Sequence, residues 1–167
     1  MKIYAAYGSN INLEQMSHRC PDAVPIGKGW LMNYHLLFRG LVHGGVATVE
    51  PRRGRRVPIL LWAITEKCEK ALDVYEGFPS LYRKETVSVE GIKWLPNEMM
   101  AMSADVNEAL AMIYIINTGE MALPSDYYLN TIARGYRAVG FHVRYLAEGV
   151  RRTQRRKVKQ RAVRGKQ

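Results

Sequence analysis

The hydrophobic and polar positions divide the chain into short strand-like runs separated by turn residues. Apolar or alternating runs predict strands at residues 3–7, 30–40, 82–90 and 110–116. The last of these is apolar throughout, which predicts a central strand. Two further apolar runs flank Pro51–Gly54 and predict a β-hairpin with its turn at those residues. Loops and strand edges are predicted at Pro21, Pro25, Gly27 and Gly29.

Helical signals appear between these runs. Asn12 is a suitable N-cap for a short helix over the next residues, and a later helix is predicted to start near Pro124–Ser125. Thr65 would cap a helix that ends at Gly77, with its apolar face at Cys68, Ala71, Leu72 and Tyr75. A last short helix begins near His142 and runs into the C-terminal segment.

Strands outnumber helices and do not alternate with them regularly. This favours a mixed, largely antiparallel sheet or barrel with helices packed on it. The 167 residues suffice for one domain with a core, and no internal repeat or second domain is apparent. We therefore predict a domain over residues 1–149 and a basic C-terminal tail over 150–167.

The net charge of +10 is concentrated at the C-terminal end. Residues 151–167 contain nine Lys or Arg and no acid, which leaves 16 basic against 15 acidic residues elsewhere. The tail could continue the last helix or be disordered, and it is expected to be solubilising or to make weak, salt-dependent contact with a polyanion. Residues 51–56 are interpreted as a solvated hairpin tip, with contact to an anion as the alternative. The chain shows no signal peptide and no apolar run of membrane length, so we predict a soluble cytoplasmic protein, a monomer or a homodimer.

Two features are candidates for chemistry. Gly8-Ser9-Asn10 follows the first strand, and such a loop can present backbone N–H groups to a carboxylate or phosphate, although an ordinary strand-to-helix turn has the same pattern. Glu76 lies at the C-terminal end of a helix, where the dipole disfavours negative charge. It could be a solvated helix-end residue or part of a site. Asp73, one turn earlier, could orient the site or be solvated on the polar face, and the second interpretation is favoured.

Four segments in order carry a resemblance to a known family. They are YGSN (7–10), DVYEG (73–77), YRKETVSV (82–89) and PSDYY (124–128). Together they resemble the gamma-glutamylcyclotransferase-like family over about residues 2–140. The resemblance implies an α+β fold, in which a small mixed, mostly antiparallel sheet closes into a partial barrel with packed helices.

The resemblance also implies an activity and a site. Family members cyclise a γ-glutamyl group to 5-oxoproline and release an amine or amino acid, an acyl-transfer reaction without a cofactor. Glu76 matches the catalytic glutamate. The family's loop that binds the substrate α-carboxylate matches Tyr7, Gly8, Ser9, Asn10 and Ile11. The two tyrosines that line the family's substrate pocket match Tyr82 and Tyr128. Ile11 replaces the commoner leucine.

This chemistry needs one carboxylate and a few hydrogen-bond donors. A partly buried glutamate with a raised pKa can take a proton from the substrate amine and return it to the leaving group. The alternative is a catalytically silent binding module of the same fold, whose basic tail binds nucleic acid or an acidic partner. The released amine is left open, and residues 93–108 are predicted to influence its choice.

The remaining reactive residue types suggest no further site. The histidines are scattered without metal-ligand spacing, and no metal is predicted: they are His18, His35, His43 and His142. Ser9 lacks the sequence context of a serine nucleophile. Cys20 and Cys68 are predicted to be free, buried residues.

Overall fold

The structure, a computed structural model, describes residues 1–41, 44–96 and 106–164, with Leu41 described by its backbone only. Its strands are β1 (Lys2–Ala6), β2 (Val24–Leu41), β3 (Gly44–Ile64), β4 (Tyr82–Trp94), β5 (Glu108–Ile116) and β6 (Glu120–Met121). Its α-helices are α1 (Leu13–Arg19), α2 (Glu66–Glu76), α3 (Asp126–Ala138) and α4 (Arg144–Arg164). A 3-10 turn at Ser9–Ile11 joins β1 to α1.

Five strands form a closed barrel in the order β3-β1-β5-β4-β2, with β2 pairing back to β3. The short β1 is parallel to β5, with Tyr4 opposite Met112, whereas the neighbouring pairs are antiparallel. The predicted α+β class and mostly antiparallel barrel are confirmed, and the ring is closed rather than partial. β5 lies between β1 and β4, as its apolar run predicts.

The predicted hairpin turn at Pro51–Gly54 is wrong. β3 continues through these residues and pairs with β2 on both sides, because Pro51 lies opposite Tyr34 and Arg56 opposite Met32. Residues 52–55 therefore form a large bulge opposite Asn33. The Gly54 amide donates to Asn33 Oδ1 at 3.0 Å, and both residues have positive φ, which fixes the shape of the bulge.

The glycines before Trp30 also lie inside a strand rather than in loops. Gly29 is part of β2 at the point where this strand crosses β4. A Cβ there would lie 2.6 Å from Val89 Cγ1, so only glycine permits the close approach. From the sequence these glycines were predicted to lie in loops, but in the structure they allow β2 and β4 to approach closely as the barrel closes.

The first three helices begin where their capping residues predict, and α2 also ends at Gly77 as predicted. Asn12, Thr65 and Ser125 accept backbone hydrogen bonds as N-caps, and Gly77 ends α2 in the left-handed conformation with φ 65°. Cys68 and Leu72 of α2 are buried, as predicted for the apolar face of the helix. Tyr75 is 47% exposed, so its predicted place on that buried face is wrong. Among the described residues, no helix combines the length and apolar character needed to cross a membrane.

The two cysteines meet in the core although they are far apart in sequence. Both are buried and free, as predicted. Cys20 Sγ lies 3.6 Å from the Cys68 carbonyl oxygen, and burial raises the pKa of the Cys20 thiol to about 12. Both thiols thus behave as small apolar groups that join α1 to α2.

Helix α4 passes through the predicted domain boundary at 149/150 without a break. Gly149 packs directly on Leu36, where an added Cβ would lie 3.2 Å from the Leu36 side chain. Thr153 is fully buried, accepts from the Phe38 amide at 2.9 Å and donates to the Gly149 carbonyl at 2.9 Å. Residues 150–156 are therefore part of the folded domain. The described part of the predicted tail is helical and packs on β2 through Gly149 and Thr153.

We predict that Thr153→Val destabilises the protein by about 1–3 kcal/mol, because it leaves the buried Phe38 amide without its acceptor at nearly constant side-chain volume. Urea denaturation measures the free energy of unfolding. Gln154→Ala, on the exposed side of the same helix, should stay within about 0.5 kcal/mol of the parent. Equal stability of Thr153→Val and the parent would contradict the docking of α4.

Candidate active site

The loop after β1 presents free backbone donors to a pocket. The 3-10 turn uses the amides of Ile11 and Asn12, which donate to the carbonyls of Gly8 and Ser9. For the amides of Ser9 and Asn10, the described part of the chain provides no acceptor. Such amides at the start of a helical turn can bind a carboxylate.

Gly8 keeps this loop accessible. A Cβ on Gly8 would lie 3.2 Å from Ala47 Cβ and 3.5 Å from the Tyr128 hydroxyl, in the space that a ligand would need. The close packing against Ala47 and Tyr128 accounts for a glycine at this position.

The prediction for Ile11 is not supported by the structure. Its amide already donates to the Gly8 carbonyl at 3.1 Å, and its side chain is completely buried away from the pocket lining. Ile11 therefore anchors the loop in the core instead of contacting a ligand. The other predicted site residues line one pocket: Tyr7, Gly8, Ser9, Asn10, Glu76, Tyr82 and Tyr128.

Glu76 enters this pocket from the last turn of α2. The cap at Gly77 ends the helix there, since the Phe78 amide donates back to the Asp73 carbonyl at 2.9 Å. The partly buried Glu76 side chain accepts a hydrogen bond from Asn10 Nδ2 at 2.9 Å. The carboxylate is thereby fixed beside the free amides of the loop.

Asn10 is oriented by a residue that the sequence reasoning missed. Arg19 Nη1 donates to Asn10 Oδ1 at 2.7 Å, and a guanidinium can only donate. This fixes the amide so that Nδ2 points to Glu76 and to the Tyr4 hydroxyl, 2.8 Å away. Arg19 also stacks on the Tyr75 ring, 3.7 Å from its centre, and donates to the Tyr75 hydroxyl at 2.7 Å.

The surroundings of Glu76 favour its neutral form. Burial raises the pKa of its carboxyl from 4.5 to about 7, while the hydrogen bond from Asn10 and the charge of Arg19 act in the opposite direction. Desolvation dominates because the pocket surrounds the carboxyl with aromatic side chains. A group with this pKa can both accept and release a proton near neutral pH.

Tyrosines form most of the pocket wall: Tyr4, Tyr7, Tyr82, Tyr114 and Tyr128. Tyr4 and Tyr114 lie on β1 and β5, in apolar runs that predict buried strands and give no sign of a pocket. Burial raises the pKa of all five phenols, which therefore remain protonated donors at neutral pH. Tyr7 donates to the Tyr114 carbonyl at 2.7 Å, and Tyr128 accepts from the Ala47 amide at 3.1 Å, which leaves the Tyr128 proton available.

Asp73 is not the solvated residue that the sequence predicts. It accepts a hydrogen bond from the Tyr114 hydroxyl and an ion pair from Lys84, whose Nζ lies 2.7 Å from Asp73 Oδ1. Lys84 also pairs with Glu69 at 2.7 Å. Asp73 therefore orients the Tyr114 ring in the pocket wall.

The pocket is narrow, with a cavity volume of about 30 Å³, so it accommodates only the end of a small ligand. In residues 1–41, 44–96 and 106–164, no group of three or more His, Cys, Asp or Glu side chains is arranged to hold a metal ion. His43 and most of the segment 93–108 that was expected to influence specificity lie outside the described residues.

Comparison with known proteins identifies the family of the chain. The family model described as "Gamma-glutamyl cyclotransferase, AIG2-like" matches residues 4–130, so the chain belongs to that family. A gamma-glutamylcyclotransferase from Bos taurus is 27% identical over 150 residues, which cover 86% of this chain and 74% of that protein. The Homo sapiens gamma-glutamylcyclotransferase is 26% identical over the same shares.

Solved structures support the fold assignment. A gamma-glutamyl cyclotransferase structure superposes with a TM-score of 0.74 at 24% identity, over 88% of this chain and 85% of that chain. The crystal structure of an uncharacterized Homo sapiens protein superposes with a TM-score of 0.73 at 25% identity over the same shares. The fold is thus that of gamma-glutamyl cyclotransferases.

We predict that Glu76→Gln stabilises the protein progressively as the pH rises. Between the ordinary carboxyl pKa of 4.5 and about 7, folded Glu76 keeps a proton that the unfolded chain releases, so its contribution to the free energy of unfolding falls with rising pH. The loss is about 3 kcal/mol at most. The variant should match the parent at pH 4.5 and exceed it by about 1–3 kcal/mol at pH 8.

Urea denaturation at a series of pH values makes this comparison. Glu66→Gln is the matched control because it makes the same change on the exposed first turn of α2, and it should show no such gain. A difference between Glu76→Gln and the parent that does not change with pH would contradict the raised pKa.

Proposed function

We propose that the protein is a γ-glutamyl cyclotransferase that converts a small γ-glutamyl compound to 5-oxoproline and a free amine. The carrying observation is the placement of Glu76, a carboxyl with a pKa near 7, beside the unused amides of Ser9 and Asn10. The Glu76 carboxyl is suited to proton transfer, and the two amides are suited to binding an anion. A γ-glutamyl group carries an α-amine and an α-carboxylate on the same carbon, so it can use both.

In the proposed complex, the α-carboxylate accepts hydrogen bonds from the Ser9 and Asn10 amides. The α-amine then faces Glu76, and the γ-carbonyl lies among the tyrosines. The pocket holds the chain in a curled conformation, which brings the amine close to its own carbonyl carbon. Orientation of this kind can contribute about 7–11 kcal/mol to an intramolecular reaction.

The reaction balances with groups of the chain and the substrate alone. Glu76 takes a proton from the α-ammonium, whose ordinary pKa is about 8. The amine nitrogen bonds to the γ-carbonyl carbon and closes a five-membered ring. Protonated Glu76 gives the proton to the departing nitrogen, and the bond between that nitrogen and the γ-carbon breaks as the carbonyl re-forms. The ring nitrogen gives its second proton to the departing amine, which leaves as an ammonium ion together with 5-oxoproline.

Negative charge develops on the carbonyl oxygen when the ring closes. The Tyr128 hydroxyl can donate to it, because its own oxygen already accepts from the Ala47 amide. Tyr82 is a second donor at the pocket wall, and its phenol stays protonated because burial raises its pKa. Such preorganised donors stabilise a transition-state oxyanion.

A silent binding module of the same fold is the alternative. The hydrogen-bond network around Glu76 favours the enzyme, since Arg19, Asn10 and Tyr4 all serve to orient or enclose one carboxylate. A binding surface located elsewhere on the molecule would not require a glutamate in this pocket, where it lowers stability as the pH rises from 4.5 to about 7.

We predict that Glu76→Gln lowers 5-oxoproline release by at least about 100-fold, because the amide cannot accept the ammonium proton. Chromatographic detection of 5-oxoproline, with a panel of γ-glutamyl amino acids and γ-glutamyl amines, measures turnover and identifies the released group. Glu66→Gln should retain the parent rate. Thermal unfolding of both variants verifies that they are folded.

Parent-like turnover by folded Glu76→Gln would contradict the role of this residue. Absence of release from every compound by the parent would favour the binding-module alternative. Release from one compound class, lost in Glu76→Gln only, would establish the reaction and the substrate class together.

A further inference from the structure

We infer that residues 51–56, which include the bulge of β3, and helix α4 form one composite basic surface that binds the phosphate backbone of a nucleic acid. The two segments are separated by almost a hundred residues and lie in different elements. Neither takes part in the pocket around Glu76. We refer to residues 51–56 together with 151–164 as the basic surface.

Side-chain contacts hold the two segments together. Arg56 lies over the Trp30 ring, 4.0 Å from its centre, and its Nη2 is 3.5 Å from the Tyr145 hydroxyl in the first turns of α4. The Trp30 and Tyr145 rings are 5.2 Å apart. The end of the bulge is thereby fixed against the start of α4.

Further along the helix, α4 contacts the strands next to the bulge. Arg152 Nη1 donates to the Leu36 carbonyl at 2.7 Å, and Arg156 Nη1 pairs with Glu50 Oε2 at 2.6 Å. Glu50 immediately precedes the bulge in β3. Burial lowers the pKa of Arg152, and the nearby charges of Arg55, Arg156 and Arg52 lower it further, which agrees with this proximity.

The basic surface carries most of the excess charge of the protein. It contains twelve Lys or Arg residues and no acid, whereas the other 13 Lys and Arg are outnumbered by 15 acidic residues. Acidic neighbours compensate part of it, since Glu50 pairs with Arg156, Glu148 lies 3.8 Å from Arg152, and Glu120 pairs with Arg164.

Several cations of the surface remain exposed and have no ion-pair partner within the described ranges. These are Arg52, Arg53, Arg55, Arg151, Arg155, Lys159 and Arg161. Like charges held this close repel one another, so an anion that bridges them would relieve the repulsion. The surface runs for about 20 Å along α4, which spans several phosphates of a nucleic acid.

The side-chain chemistry favours phosphate over other anionic partners. Ten of the twelve cations are arginines, and the guanidinium fork binds phosphate oxygens in pairs. A membrane-binding helix needs a broad apolar face, but Val158 and Val163 are the only large apolar side chains exposed along 151–164. Recognition should therefore be through the backbone and independent of sequence.

The test uses the full chain and fluorescein-labelled 20-mers of RNA and DNA, single-stranded and duplex, with fluorescence anisotropy over a salt series. R52Q/R53Q/R55Q neutralises the bulge, and R151Q/R155Q/K159Q neutralises an exposed stripe of α4. Deletion of the helix is avoided because it would remove Thr153. K67Q/K70Q/R134Q is the matched control, with three exposed cations removed from α2 and α3.

Each surface variant should bind at least about tenfold more weakly near 50 mM salt, with a salt slope shallower by about two to three. The control should behave like the parent, and a preference among the four oligonucleotides would identify the source of the phosphate. Parent-like binding by the bulge variant, equal weakening by the control, no binding by the parent, or equal competition by polyglutamate or anionic vesicles would each overturn the proposal.

Discussion

The hydrogen bond from Asn10 Nδ2 to Glu76 Oε1 joins the end of strand β1 to the end of helix α2. It places a carboxylate in a pocket of tyrosines, where the loss of hydration raises its pKa to about 7. A buried carboxyl lowers stability when it is charged, so this arrangement requires support from the rest of the fold. Arg19 supplies that support through Asn10 and not through a direct ion pair, which would have lowered the pKa more strongly.

Barrel closure brings these groups together. β1 is only five residues long, yet it lies between β3 and β5, and this position directs its C-terminal end to the pocket. The cap at Gly77 stops α2 where Glu76 can reach the same point. The indole of Trp62, on the neighbouring β3, donates to the Asn10 carbonyl at 3.1 Å and holds the loop in place. The site therefore depends on contacts between segments that are far apart in sequence.

Local features of the site could be predicted because local chemistry determines them. The N-caps at Asn12, Thr65 and Ser125 and the end of α2 at Gly77 follow from the side chains and φ values that those positions need. The pocket residues Tyr4 and Tyr114 were missed because nothing in an apolar strand indicates which side chain faces a pocket. Arg19 was missed because nothing in a short helix indicates that it contacts Asn10.

The errors have a common physical origin. Proline and glycine at 51–54 favour a turn on local sequence preference alone. Because β2 and β3 pair on both sides of this segment, it forms a bulge instead. The charge of residues 151–164 left open whether this segment continues the last helix, because composition does not reveal the docking face that Gly149 and Thr153 provide. In both cases tertiary contacts outweigh the local preference.

The pH dependence of kcat/KM for a γ-glutamyl substrate tests the central claim most directly, because it reports the ionisation of the free enzyme's essential groups. If Glu76 must be charged to accept the ammonium proton, kcat/KM should fall about tenfold per pH unit below an apparent pKa near 7. A rate that stays constant from pH 8 down to pH 5 would contradict the assignment of Glu76 as the proton-transfer group.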